Sequence, residues 1–227
     1  MFAATVRRIL RLLLMRKIVL QLGFIISIAA NAQQAWTQRA DVGYHQPNSP
    51  DAQWFGAAFS IDGFGYVVCG QLEDHLLYSN NTLRFDPSSG SWELRAAFPG
   101  LQLMGGVGIT TNNKGYVFGG SPGPGNELWE YDPITDSWTQ KATLPGAGRT
   151  YAVSFILNNK VHICTGNDNS SGTLLQDHWM YDPTLDQWTQ LDPVPGPARS
   201  HAIAFELFGK GYVGTGTAGG IQSINDL

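Results

Sequence analysis

The sequence predicts an all-β chain assembled from repeated four-stranded units, and three observations carry that expectation. The first is a repeated sentence. NELWEYDPITDSWTQKATLPG, from Asn126, returns fifty residues later as QDHWMYDPTLDQWTQLDPVPG. Tyr131-Asp132-Pro133 leads to Trp138 and Tyr181-Asp182-Pro183 to Trp188, as Phe85-Asp86-Pro87 leads to Trp92. The aromatic-to-Trp spacing is seven in all three. The second is a Gly-terminated landmark: GYVVCG, GYVFGG, VHICTG and GYVGTG end at Gly70, Gly120, Gly166 and Gly216. The intervals are 50, 46 and 50 residues, and Phe59, Ile109, Phe155 and Phe205 each lie eleven positions upstream. The third is composition: 27 Gly, 7 Trp and 14% charged residues favour turns and strands over helices.

Each unit reads as four short strands. The innermost is small and apolar, as in Tyr151 to Phe155. A turn of Asn-Asn-Lys type follows, then the Gly-terminated strand. The Tyr-Asp-Pro strand is third. Its Pro lacks the donor needed to continue a ladder, so a turn falls between Pro133 and Ser137. The Trp strand is fourth and runs into a Pro-Gly loop such as Pro145-Gly146. Four strands per roughly 45–50 residues is the pattern of a β-propeller blade. Small inner strands suit the crowded axis, and aromatic outer strands suit the wide contact between blades.

The unit resembles a kelch repeat: a Gly doublet, then Tyr, then Trp. The resemblance covers Trp36 to Leu227. Only Gly119-Gly120 keeps both glycines, and Phe85 replaces Tyr in the first copy. The fold class expected is therefore a partial kelch-type β-propeller preceded by an N-terminal signal helix. It has three complete blades, at about 54–97, 104–143 and 150–191, and part of a fourth at 200–227. The structural residues of the repeat are Gly70, Gly120, Gly166, Gly216, Phe85, Tyr131, Tyr181, Trp36, Trp92, Trp138 and Trp188. The resemblance implies a fold that mostly serves recognition. Exported kelch-like propellers also include sialic-acid mutarotases and copper radical oxidases related to galactose oxidase. The Cys–Tyr crosslink and the His and Tyr ligands of the oxidases have no counterpart placed in this sequence.

Residues 1–32 form a different text. Arg7, Arg8, Arg11, Arg16 and Lys17 precede an apolar run from Ile18 to Ala30, and Ala30-Asn31-Ala32 offers a small-x-small cleavage site. This is the plan of a secretory signal peptide, with residues 1–14 an over-long start or an extended charged region. The run is shorter than the ~20 residues of a membrane span. The expectation is an exported chain, periplasmic, cell-surface or extracellular, beginning at Gln33 and without a membrane span after cleavage. Trp36-Thr37-Gln38-Arg39 matches Trp138-Thr139-Gln140-Lys141 and reads as an orphan outer strand. Asn225-Asp226-Leu227 matches Asn126-Glu127-Leu128, where a third strand starts. Further C-terminal blades of the same chain are therefore expected as partners of this arc.

Removing the five basic residues of the leader leaves nine against 18 acidic ones, a net charge near −9. Nucleic acid is then excluded as a partner, because phosphate binding needs a basic face. Cys69 aligns with Gly119 and Cys164 with Phe118, on opposite faces of strands two blades apart, so two free buried thiols are expected. His45, His75, His162, His178 and His201 show no metal-ligand spacing, and no cofactor or catalytic motif is found. Asn167 to Gly172 lacks the distal acid of a calcium loop and reads as a polar loop.

One constellation points to binding. PGAGRTY (Pro145–Tyr151) and PGPARSH (Pro195–His201) each place an Arg at the start of the innermost strand. Gln53 and Leu103 hold the matching positions in the first two blades. Arg149 and Arg199 are expected at the mouth of the axial channel as donors to a carboxylate or sugar. Two positions on, Phe55, Tyr151 and His201 share a register and are expected to stack on a ring. The alternative for both Arg side chains is pairing with acids or backbone carbonyls between blades. The function expected is a non-catalytic scaffold for a protein or glycan. The alternative is part of a carbohydrate-active kelch enzyme.

Overall fold

The computed structural model describes residues 53–72, 78–219 and 222–226. The expected signal segment, the strand expected at Trp36–Arg39, His45, His75 and the Gln53 side chain lie outside them. The first sheet is built from β1 (Gln53–Trp54), β2 (Ala57–Ile61), β3 (Phe64–Leu72), β4 (Tyr78–Asp86) and β5 (Ser91–Arg95). The second runs β6 (Val107–Thr111), β7 (Lys114–Phe118), β8 (Leu128–Asp132) and β9 (Ser137–Lys141). The third comprises β11 (Val153–Leu157), β12 (Lys160–Cys164), β14 (His178–Asp182) and β15 (Gln187–Leu191), with β10 (Arg149–Thr150) pairing β13 (Asn167–Asp168) above it. β16 (Ile203–Leu207) pairs β17 (Lys210–Gly214), and β18 (Thr217–Ala218) pairs β19 (Gln222–Ser223). All of these pairings are antiparallel.

Local chemistry sets the turns. Each Asp of Asp-Pro accepts the amide two residues on: Ser88 to Asp86 at 2.8 Å, and Ile134 to Asp132 and Thr184 to Asp182 at 2.9 Å. That turn delivers the aromatic and the Trp as cross-strand pairs, Tyr131 opposite Trp138 and Tyr181 opposite Trp188.

The Gly landmark also has a backbone cause. Cys69, Gly119, Thr165 and Thr215 have φ of 57–75°, while Gly70, Gly120, Gly166 and Gly216 have φ of 94–123°. The first conformation is left-handed and costs a side chain moderately. The second is open essentially to glycine alone. A Cβ on Gly166 would also stand 2.9 Å from the Thr150 carbonyl oxygen. This is why the first glycine of the doublet varies and the second does not.

The core lies in layers between sheets. Phe59, Tyr66, Val68 and Phe98 of the first sheet pack with Val117, Tyr131 and Trp138 of the second. Tyr116, Phe118, Leu128 and Leu144 pack likewise with Trp179, Tyr181 and Trp188 of the third. Each outer seam is also latched. Trp138 Nε1 donates to Ala96 O at 3.1 Å, and Trp188 Nε1 to Ala142 O at 2.7 Å. These indoles are half-buried rather than fully buried, because one edge of each outer strand faces solvent.

Cys69 and Cys164 are both free and buried, in different layers, and burial pushes each thiol up to about 12. Among the described residues no helix is long and apolar enough to cross a membrane.

Candidate binding site at the inner rim

Backbone hydrogen bonds link the inner strands of successive sheets. Gly105 N donates to Phe55 O at 2.8 Å, Tyr151 N to Gly105 O at 2.9 Å, and His201 N to Tyr151 O at 3.2 Å. A second set runs beside it: Gly70 N to Leu103 O, Gly120 N to Arg149 O and Gly166 N to Arg199 O, all 2.8–2.9 Å. Each of the three seams thus carries two inner bonds. Phe55, Gly105, Tyr151 and His201 occupy equivalent positions, all with φ between 54° and 66°.

Three of these four positions carry rings. Tyr151 and His201 stack with centroids 4.0 Å apart at 22°, and Phe55 meets Tyr151 edge-on at 5.8 Å. The Tyr151 ring lies over Gly105, where a Cβ would stand 2.9 Å from it. A cavity of about 240 Å³ is lined by Phe55, Gly105, Tyr151 and His201, together with Gly56 and Ala152. Phe55 is 52% exposed and His201 is exposed. Phe55, Tyr151 and His201 thus share one register and line one cavity.

The two arginines behave differently. Arg149 is 0% exposed and Arg199 is 1% exposed. Arg149 pairs bidentately with Asp177 at 2.5 and 2.8 Å, and donates to Thr165 O and Ala147 O. Arg199 repeats the arrangement with Asp226, Thr215 O and Pro197 O. Both side chains therefore turn back into their own sheets rather than presenting donors to a channel mouth. They tie the start of the inner strand to the end of the second strand and to the acid ahead of the third. Burial opposes ionisation of Asp177, but the Arg149 guanidinium and the Trp179 indole N–H outweigh it and hold the carboxyl below the usual carboxylate range. The sequence held a signal for this pairing. Asp177 and Asp226 follow their arginines by 28 and 27 residues. The second sheet, with Leu103 in place of Arg, has Glu127 there, accepting from Trp129 at 3.1 Å. Among the described residues no group of three or more His, Cys, Asp or Glu side chains is placed to hold a metal ion.

The fold and this rim define a propeller-like, all-β repeat protein whose antiparallel sheets pack on one another and are linked by backbone hydrogen bonds along this rim. The solved structure of YjhT is similar, with a TM-score of 0.61, 16% sequence identity and coverage of 84% of this chain and 83% of that one. At that identity the likeness speaks for the fold alone. No protein-family model and no curated protein sequence matches the chain.

Proposed function

We propose that the chain is the recognition part of an exported kelch-type scaffold, and that its glycan or protein ligand lays a ring or apolar face on Phe55, Tyr151 and His201. One observation carries this reading. Left-handed backbone costs an L-residue roughly 1–2 kcal/mol, and Gly105 occupies the same position without that cost. Phe55 and Tyr151 are aromatics held in that conformation, beside a cavity and without a closed core around them. Rings kept at a cost on an open rim suit stacking on a ligand, and the Tyr hydroxyl and the imidazole add hydrogen-bond capacity.

A second reading, part of a carbohydrate-active enzyme, draws on the same rim. His201 and Tyr151 are proton-transferring side-chain types stacked against one another. The binding reading needs only their faces. The enzymatic reading needs their titrating atoms.

The test is a glycan and peptide array probed with the exported chain, followed by titration of the hits. Tyr151→Gly and His201→Gly should each weaken binding about tenfold, the scale of an aromatic contact, with the melting temperature held or raised. Unchanged affinity together with a lowered melting temperature would make the rings packing elements and remove the site. Turnover of a bound sugar, lost in a His201 variant that still binds, would favour the enzyme.

A further inference from the structure

The third sheet carries a slot whose two counterparts are filled. On the first sheet the slot is walled by Phe59, Tyr66, Thr82 and Phe98. Tyr131 enters to 5.5 Å from Tyr66, and Trp129 and Trp138 lie 5.6 and 5.2 Å from Phe98. On the second sheet the same positions are Ile109, Tyr116, Leu128 and Leu144. There Tyr181 lies 6.2 Å from Tyr116, and Trp188 lies 5.8 Å from Phe118. In both slots the entering Trp donates to a backbone carbonyl, of Ala96 or Ala142.

On the third sheet the corresponding wall is Phe155, His162, His178 and Val194. Cys164 stands where Phe118 does, and Asp192 stands where Ala142 does. Here a cavity of about 540 Å³ opens, and Phe155, Cys164, His178, Asp192 and Val194 line it, with Tyr212 of β17 opposite. Five wall positions of the filled slots thus recur as the lining of an open one.

The strand beside the cavity is open as well. β3, β7 and β12 each pair a strand on both sides. β17 pairs β16 on one side, and among the described residues no strand lies on the other. A row of backbone donors and acceptors next to an apolar slot is the arrangement that receives an added strand.

We propose that this slot and the edge of β17 together dock a strand pair of the repeat's own chemistry, aromatic-x-Tyr-Asp turning into a Trp strand, presented by a further repeat unit. Its third strand adds to β17, its Tyr meets Phe155 and His162, and its indole donates to the Asp192 carbonyl. This face is separate from the inner-rim rings, and the inference does not depend on their ligand.

The probe is a cyclised synthetic hairpin with the sequence of residues 176–192, the strand pair that fills the second slot. Added to the 227-residue chain, it should bind saturably and slow amide exchange along β17 by about tenfold or more. Hairpins carrying Tyr181→Ala or Trp188→Ala should bind about tenfold more weakly, the scale of an aromatic anchor. No binding, equal binding of a scrambled hairpin, or binding that leaves β17 exchange unchanged would overturn the proposal. So would concentration-dependent protection of β17 without the hairpin, because a second copy of the chain would then be the occupant.

Discussion

The Asp136 carboxylate crosses a sheet boundary to accept the backbone amide of Ala96 at 3.0 Å. The same oxygen accepts the Tyr131 hydroxyl at 2.7 Å, while Trp138 donates to the Ala96 carbonyl. Both backbone groups of one residue are therefore clasped by two side chains of the next sheet, and Tyr131 steadies the acid of the pair. Asp186, Tyr181 and Trp188 repeat the clasp on Ala142. The first sheet has Phe85 and Gly90 in the equivalent places, so it lacks both the hydroxyl and the carboxylate.

Asp136→Ala and Asp186→Ala should each destabilise by about 1–3 kcal/mol, since each leaves a hydroxyl and an amide without their acceptor. The two seams share no residue of the clasp, so the double variant should lose close to the sum. Denaturant unfolding of the three variants checks this. Trp138→Ala should cost about 3 kcal/mol, combining a half-buried indole with its hydrogen bond.

Arg149→Ala should cost about 3–5 kcal/mol, because it strands the Asp177 carboxylate in a partly buried place. Arg149→Leu with Asp177→Asn should lose less than Arg149→Ala alone. Leu103 already fills the same position in the second sheet, where it is buried. Thermal melts of the single and double variants decide the order.

Gly166→Ala should destabilise by more than about 2 kcal/mol, from a φ of 108° and a clash with the Thr150 carbonyl. Thr165→Gly, one residue earlier, should change stability by less than about 1 kcal/mol. Equal effects at the two positions would refute the account of the Gly landmark.

His162 Nδ1 and His178 Nε2 lie 2.8 Å apart, and Phe155 stacks on His162 at 4.7 Å. Burial, then the neighbouring imidazole, then Lys160 lower His162 from 6.5 to about 4. Burial lowers His178 as well. Between 6.5 and about 4 the unfolded chain binds a proton that the folded chain refuses. The contribution of His162 is therefore complete above 6.5 and is lost as the pH falls towards about 4. The melting temperature should drop across that window. His162→Tyr, which copies Tyr66 and Tyr116, should flatten the drop.

The repeat was legible because its signals are local. Seven residues from Tyr to Trp are two strand ends and a turn, and the second glycine of the landmark is fixed by its own φ. The clasp was legible only in part. Asp136 and Asp186 stand at the same place in two repeats, just before the Trp strand, yet their partners lie 40 and 44 residues upstream, across a seam that no local pattern records. Arg149 and Arg199 were placed at the right rung with two directions open, a channel mouth or pairing with acids and backbone carbonyls, and the side chains take the second. Register tells where a side chain starts, and here a carboxylate ahead of the third strand decided where it ended. The inner-rim rings were legible as one register, because the 46- and 50-residue intervals carry Phe55, Tyr151 and His201 to the same height.

The amide-to-carbonyl chain through Phe55, Gly105, Tyr151 and His201 has an evolutionary consequence. The inner hydrogen bonds of the seams run through main-chain atoms, so they do not depend on which side chains stand at 55, 151 and 201. Each repeat unit presents one residue at this register, and Gly105 carries no side chain beneath the ring of Tyr151. The residue at this register can therefore vary from unit to unit without breaking the main-chain bonds that join the sheets.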